Sequence, residues 1–308
     1  MPEPSETKAS NPGSLVGSGA IDSGDSGDAS TAGPVTAEPI TAGPESNTSP
    51  RELSRVMPGW ADLNGTVLFY TAVPLPGHWP VRFGSVALLA PMVGVALGGL
   101  LAAADGLLRQ TGLSMALVSA LVVFGGALLT GGLHVDGVMD TADGLAVMDP
   151  ERRLTVMADS RSGAFGVMAA IALFTLKILA LLSVPPGARA AALIFAMAWG
   201  RWGQQWAIGC YPYLKPRGKG AFHKQAIPSC RQAMPWAIGL SVLSASGAAL
   251  EWISWSDGLV AAVVGLGSAG LVAGWLNRKL GGHTGDTYGA VVEWVEVAIL
   301  VGLACISQ

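Results

Sequence analysis

Residues 131–166 read GGLHVDGVMDTADGLAVMDPERRLTVMADSRSGAFG. Long, nearly charge-free apolar runs lie on both sides of this stretch. Within it, Asp136, Asp140 and Asp143 fall at i, i+4 and i+7. On a helix, at ~100° per residue, they occupy one narrow stripe. Carboxylates that close repel one another unless a cation sits between them. Hard oxygen ligands of this kind suit Mg²⁺ or Mn²⁺, usually with substrate phosphate completing the shell. Acidic residues at helical spacing are often only a solvated face. Here the stripe directly follows an apolar run of membrane length, and ionisable groups at a membrane boundary default to function. A metal or substrate site is therefore expected.

The composition agrees with a membrane setting. The 308-residue chain is 51% hydrophobic and only 13% charged, with a mean hydropathy of +0.48. A soluble domain usually carries about 25% charged residues. An all-α, polytopic integral membrane helical bundle follows, with the lipid bilayer as its surroundings and no nucleic-acid partner. The net charge of −3 says little, because the charges are segregated along the chain. Cys210, Cys230 and Cys305 form no CxxC pair and read as free thiols. His78, His134, His223 and His283 are scattered, which argues against a zinc site.

Residues 1–50 are rich in Ser, Gly, Pro, Thr and Ala and lack the apolar core of a signal peptide. They are expected to be a disordered extension to a membrane-embedded domain at 51–308. From Arg51 to Trp79, Leu53, Val56, Met57, Trp60 and Leu63 recur at spacings of three and four. That pattern fits an amphipathic helix on the membrane surface, or equally a short helix packed on the rest of the protein. Seven apolar segments follow, near 83–104, 113–133, 163–184, 189–209, 234–253, 258–276 and 290–306. Most reach the ~20 residues needed to cross a bilayer, so about six to seven transmembrane helices are expected. The last is short, and the fourth carries Arg201, Gln204 and Gln205, so either is open to a re-entrant reading.

Orientation follows from Lys and Arg in the loops. Loops 132–162, 210–233 and 277–289 hold Arg152, Arg153, Arg161, Lys215, Arg217, Lys219, Lys224, Arg231, Arg278 and Lys279. The opposite loops hold only Arg109 and Arg189. Ten against two puts the acidic stretch in the cytoplasm. The second cytoplasmic loop is basic: Lys215, Arg217, Lys219 and Lys224 would hold phosphate, or merely set topology. The third, GGHTGDTYG, adds Thr284 and Asp286. Lys177 and Arg201 lie mid-segment, where charge is costly, and Glu293 and Glu296 are candidate partners. Carboxylates and cations on one membrane face suggest metal-assisted phosphoryl or nucleotidyl transfer.

GGLHVDGVMDTADG, running on into MADSRSGAFG, and GGHTGDTYGAVVEWVE together resemble the cobalamin synthase family, the adenosylcobinamide-GDP ribazoletransferases or cobalamin-5'-phosphate synthases. Weaker likenesses are FYTAVPLP near residue 69, Arg82, Pro91 to Gly94, Lys177 and Arg201. Roughly residues 60–306 are covered. The chain has Ala72 where family members often have Arg, and the N-terminal tail has no family counterpart. The resemblance implies a bacterial inner-membrane enzyme of late vitamin B12 assembly that works on the cytoplasmic face. The 3'-hydroxyl of α-ribazole or its 5'-phosphate would attack adenosylcobinamide-GDP, releasing GMP and giving adenosylcobalamin or its 5'-phosphate. It implies Mg²⁺ held by Asp136, Asp140 and Asp143, with Asp159 as a fourth catalytic carboxylate. Arg161, Lys215, Arg217, Lys219, Lys177, Arg201, Thr284 and Asp286 would bind substrate, and His134 would orient a carboxylate or substrate, or simply sit at a helix end. Contacts with other cobalamin-assembly enzymes would follow from that role.

Three rivals remain. A CDP-alcohol phosphotransferase shows DxxDGxxAR followed by GxxxDxxxD, whereas this chain has DGxxDTxDG. An intramembrane prenyltransferase would show two aspartate clusters, and only one is clear. A cation transporter would line its charges along a path, whereas these carboxylates gather at one face.

Overall fold

The computed structural model describes residues 59–215 and 220–306. All of them belong to one compact unit, Thr48–Gln308. The expectation for residues 1–50 therefore lies outside the described residues. So do Leu53, Val56 and Met57 of the amphipathic pattern, and Arg217 and Lys219 of the basic loop.

Eleven α-helices are described: α1 Trp60–Tyr70, α2 Val86–Arg109, α3 Met115–Leu129, α4 Leu133–Ala146, α5 Pro150–Val156, α6 Ala164–Ser183, α7 Arg189–Cys210, α8 Ala221–Ala226, α9 Met234–Ala249, α10 Trp255–Leu280 and α11 Gly285–Ile306. Among the described residues there is no strand, only one isolated parallel bridge between Tyr213 and His283. The all-α membrane architecture is as expected, and each of the seven apolar segments is a helix. The number of spans is lower than expected. Four helices are long and apolar enough to cross a membrane: α2, α6, α10 and α11. A fifth span arises if α3 and α4 are taken together, but these meet at 89°.

The missing spans have physical reasons. Helices α3 and α9 have 15 and 16 residues. At ~1.5 Å per residue they fall short of a hydrocarbon core of ~30 Å. Helix α7 is long enough but is not greasy, because it does not face lipid. Seventeen of its 22 residues are buried. It packs against α2, α10 and α11 and is the central post of the bundle. Its contact with α2 is close: a Cβ on Gly98 would come within 2.5 Å of the Ile194 Cα. Helix α11 runs for 22 residues, so the last segment is not short, contrary to the sequence reading.

Helix α1 departs from the surface-helix expectation. Its buried residues are polar or small: Asp62, Asn64, Gly65, Thr66 and Tyr70, while Trp60 is exposed. The inward face is pinned to the loop before α2. Asn64 donates to the Pro80 carbonyl at 2.9 Å, and Asp62 meets Arg82 at 3.6 Å. It is the packed helix of the two alternatives.

Connectivity sorts the loops onto two ends. Loops 110–114, 184–188 and 250–254 share one end. There Arg189, fully buried, pairs with Asp105, which also holds Arg109 at 3.0 Å. Gly187 and Trp252 line one shared hollow at this end. The other end gathers 130–163, 211–233 and 281–284, which carry the sequence motifs.

Candidate functional site

The chain turns sharply between α3 and α4 at Gly131 and Gly132, whose φ values are 60° and 72°. A side chain is strained in this left-handed region, so two consecutive glycines are what the bend requires. The turn sends α4 off α3 at 89°, and α4 by itself is not a span. The apolar and small side, His134, Val135, Gly137, Val138, Thr141 and Gly144, is buried. The opposite side leaves Asp136 exposed and Asp140 and Asp143 half-buried. The predicted carboxylate stripe is therefore real and lies on one side of one helix.

The beginning of α11 is brought onto that stripe. A Cβ on Gly137 would overlap the Asp286 carbonyl oxygen, and a Cβ on Gly289 would lie 3.1 Å from the His134 Cα. These glycines let the two backbones touch. Asp286 thereby joins the acidic group. Asp140 is pushed up to about 6, first by burial and then by the charges of Asp136, Asp286 and Asp143, with Lys215 opposing. Among the described residues, neither Asp136 nor Asp140 has an ion-pair partner.

The three motif-bearing loops are stitched together. Leu214 N–H donates to the His283 carbonyl at 2.8 Å, and His283 N–H donates to Pro212 O at 2.9 Å. Arg153 on α5 donates to the Lys279 carbonyl at the end of α10, also at 2.9 Å. Lys215 Nζ reaches Asp286 Oδ2 at 3.4 Å, and Thr284 Oγ1 donates to the same oxygen at 3.1 Å. Thr284 is fully buried and also accepts the Thr287 N–H, so it caps α11 while orienting Asp286. His283 is buried and is held down to about 4 by that burial. Its ring meets Thr287 Oγ1 and the Ala273 carbonyl at 3.0 and 3.2 Å, a neutral imidazole bracing the loop.

Other sequence-predicted residues fall in different places. Arg161 and Asp159 pair with each other at 2.7 Å, with the Arg161 side chain 88% exposed. Asp159 is held down to about 2 by its hydrogen bonds from Arg161. Asp143 is engaged by the start of α6, where Gly163 and Gly166 donate to it. Lys224 caps the end of α7, donating to Ile208 O at 2.6 Å and Gly209 O at 3.1 Å. His134 is buried and stacks on Tyr70 at 6.0 Å. Lys177 and Arg201 are buried within the bundle and do not reach its surface. Lys177 is paired with both Glu293 and Glu296, and Arg201 with Glu296, the partners expected for them. Lys177 therefore does not snorkel to the end of its helix. Gly137 and Gly289, which set the site's geometry, were not singled out by sequence reasoning. The available signal was a glycine next to Asp136 in an otherwise helical pattern.

Several apolar helices long enough to cross a membrane, with acidic side chains, a lysine and a capped turn gathered at one end of the bundle, define a polytopic membrane protein. The family model for cobalamin-5-phosphate synthase matches residues 62–304. The chain belongs to that family, whose members are transferases. It is similar to the adenosylcobinamide-GDP ribazoletransferase of Trichormus variabilis, 52% identical over 80% of this chain and 97% of the relative. The enzyme of the same name from Synechococcus sp. is 48% identical over 79% of this chain and 95% of the relative. That from Thermosynechococcus vestitus is 44% identical over 79% and 95%. No solved structure matches the chain.

Proposed function

We propose that the face built by Asp136, Asp140, Asp286 and Lys215 carries ribazole transfer on the cytoplasmic side of a bacterial plasma membrane. The family and the names of its relatives support the reaction. Lys and Arg concentrated in the loops at this end support the side. The observation that carries the site is the carboxylate pair on α4, which has no ion-pair partner among the described residues, next to Lys215 in reach of Asp286.

The residues fit a hard divalent cation in a particular way. Among the described residues, no three His, Cys, Asp or Glu side chains already form a metal cage. Mg²⁺ is usually bound by one or two carboxylates plus substrate phosphates and water, so a ready-made cage is not what it needs. Asp136 and Asp140 would hold it, and their mutual repulsion is the strain such an ion relieves. When bound, it would supply charge neutralisation to a diphosphate.

The chain's own groups then have distinct tasks. Lys215 would hold the diphosphate of adenosylcobinamide-GDP, exchanging its contact with Asp286 for phosphate oxygen. Asp286, released from Lys215 and still held by Thr284, would accept a proton. The 3'-oxygen of α-ribazole or its 5'-phosphate attacks the cobinamide-side phosphorus. A P–O bond forms there, the bond to the bridging oxygen breaks, and GMP leaves with that oxygen. The proton of the 3'-hydroxyl goes to the carboxylate.

The test is GMP release by detergent-purified protein given adenosylcobinamide-GDP and either acceptor, with and without Mg²⁺. Release is expected only with acceptor and metal together. Folded protein that releases no GMP under any of these conditions overturns the reading.

A further inference from the structure

The three aspartates of α4 are not equivalent. Asp143 lies against the start of α6. Its Oδ2 accepts the Gly163 N–H at 2.7 Å, and its Oδ1 accepts the Gly166 N–H at 2.8 Å. The first N–H groups of a helix have no partner within it. Gly163, the N-cap of the 20-residue α6, brings no side chain to cap them. A carboxylate twenty residues upstream does so, where the helix dipole favours negative charge.

The two glycines are part of the same device. A Cβ on Gly163 would overlap Asp143 Oδ1, and a Cβ on Gly166 would come within 2.5 Å of Oδ2. Both residues must be glycine for the carboxylate to reach the backbone. The glycines that close the motif MADSRSGAFG are thus explained by an aspartate in TADG. In the chain between Asp143 and Gly163 lies the exposed turn of Asp159 and Arg161.

We infer that Asp143 is a positioning residue and not a member of the metal shell. Resting on the reading of Asp136 and Asp140 as the metal ligands, the inference divides the stripe into two working carboxylates and one clamp. The clamp fastens α6 to α4 and spends the charge of Asp143 on backbone N–H groups. Among the described residues Asp136 and Asp140 have no such contacts, which leaves their oxygens for a cation.

The experiment uses the full chain in lipid nanodiscs. Metal dependence of turnover and amide hydrogen exchange are measured for wild type, Asp136→Asn, Asp143→Asn and Gly166→Ala. In Asp143→Asn one acceptor oxygen becomes an NH₂ facing an N–H. Exchange at the Gly163 and Gly166 amides should rise by about tenfold or more as that capping is lost. Turnover per folded protein should fall by roughly 10–10²-fold, the effect of a small misplacement near reacting groups. The Mg²⁺ concentration for half-maximal rate should stay at the wild-type value, whereas Asp136→Asn should raise it. Gly166→Ala should reproduce the Asp143→Asn pattern, and the double variant should be no worse than the worse single one, as coupled residues require. A raised Mg²⁺ requirement in Asp143→Asn, or amides that stay protected, overturns the inference. If Asp136→Asn leaves the metal requirement unmoved, the metal reading fails on that arm, and the exchange data still decide whether the clamp exists.

Discussion

Two groups of charged side chains in this protein are built on opposite plans. On the α4 face, Asp136 and Asp140 stand beside Asp286, with Lys215 as the nearby cation among the described residues. Inside the bundle, Lys177 lies between Glu293 and Glu296, and Arg201 sits on the other side of Glu296. The buried group has two positive and two negative charges and joins α6, α7 and α11. Charge in a low-dielectric interior is tolerated only in balanced, hydrogen-bonded sets. Among the described residues the face is unbalanced, and its carboxylates raise the energy of Asp140. A fold keeps such an arrangement at a cost, and only an arriving cation recovers it. Balance marks what holds the bundle together, and imbalance marks where it works.

The contrast is broken or sharpened by removing one charge from each side. Asp140→Asn takes away a carboxylate that has no ion-pair partner among the described residues and that its neighbours repel. Turnover should fall by roughly 10³-fold or more, about 4 kcal/mol of lost transition-state stabilisation. Thermal stability in detergent should stay the same or rise slightly, because repulsion is relieved. A variant with near-wild-type GMP release, or one that is clearly less stable, would remove Asp140 from the unbalanced group.

Glu296→Gln does the reverse. Glu296 is the one carboxylate shared by Lys177 and Arg201. Neutralising it leaves two buried cations with only Glu293 between them. Breaking a buried pair in this way costs about 3–5 kcal/mol. The melting temperature and the yield of monodisperse protein should fall sharply, and activity should be lost in proportion to the folded fraction. If Glu296→Gln keeps its melting temperature and loses turnover instead, the buried group is part of the working site and the contrast drawn above is wrong.

How much of this was readable beforehand differs between the two groups for physical reasons. The stripe Asp136, Asp140, Asp143 is a local pattern, and helical periodicity shows it directly. The partners of Lys177 and Arg201 were also anticipated, because charges in apolar segments must find opposite charges. The division of labour among the aspartates was not readable. It depends on a contact between Asp143 and two backbone N–H groups that no periodicity encodes. The span count was overestimated because α3 and α9 are short, and because α7, as long as a membrane helix, is enclosed by protein. The buried polar side of α1 was likewise hidden, since its partners at Pro80 and Arg82 belong to a loop with no pattern of its own.

The smallest expected effect tests the joint between α4 and α11, which decides how far Asp286 stands from the other two carboxylates. At Gly137 a methyl group would meet the Asp286 carbonyl, so Gly137→Ala must push the two backbones apart. Overpacking of this kind costs about 1–3 kcal/mol. Replacing glycine by alanine inside a helix returns about 1 kcal/mol. The net change in melting temperature should therefore be small. Activity has no such compensation: a shift near 1 Å at a reacting centre costs up to about 10²-fold. Gly125→Ala is the control, since nothing lies within 4 Å of the added methyl group. It should gain the helix-propensity term and keep its activity. If both variants turn over like wild type, the closeness of α4 and α11 is packing only, and Asp286 is not held in register with Asp136 and Asp140. If Gly137→Ala alone loses turnover while melting like the control, the glycine is there to bring a third carboxylate to the unbalanced face.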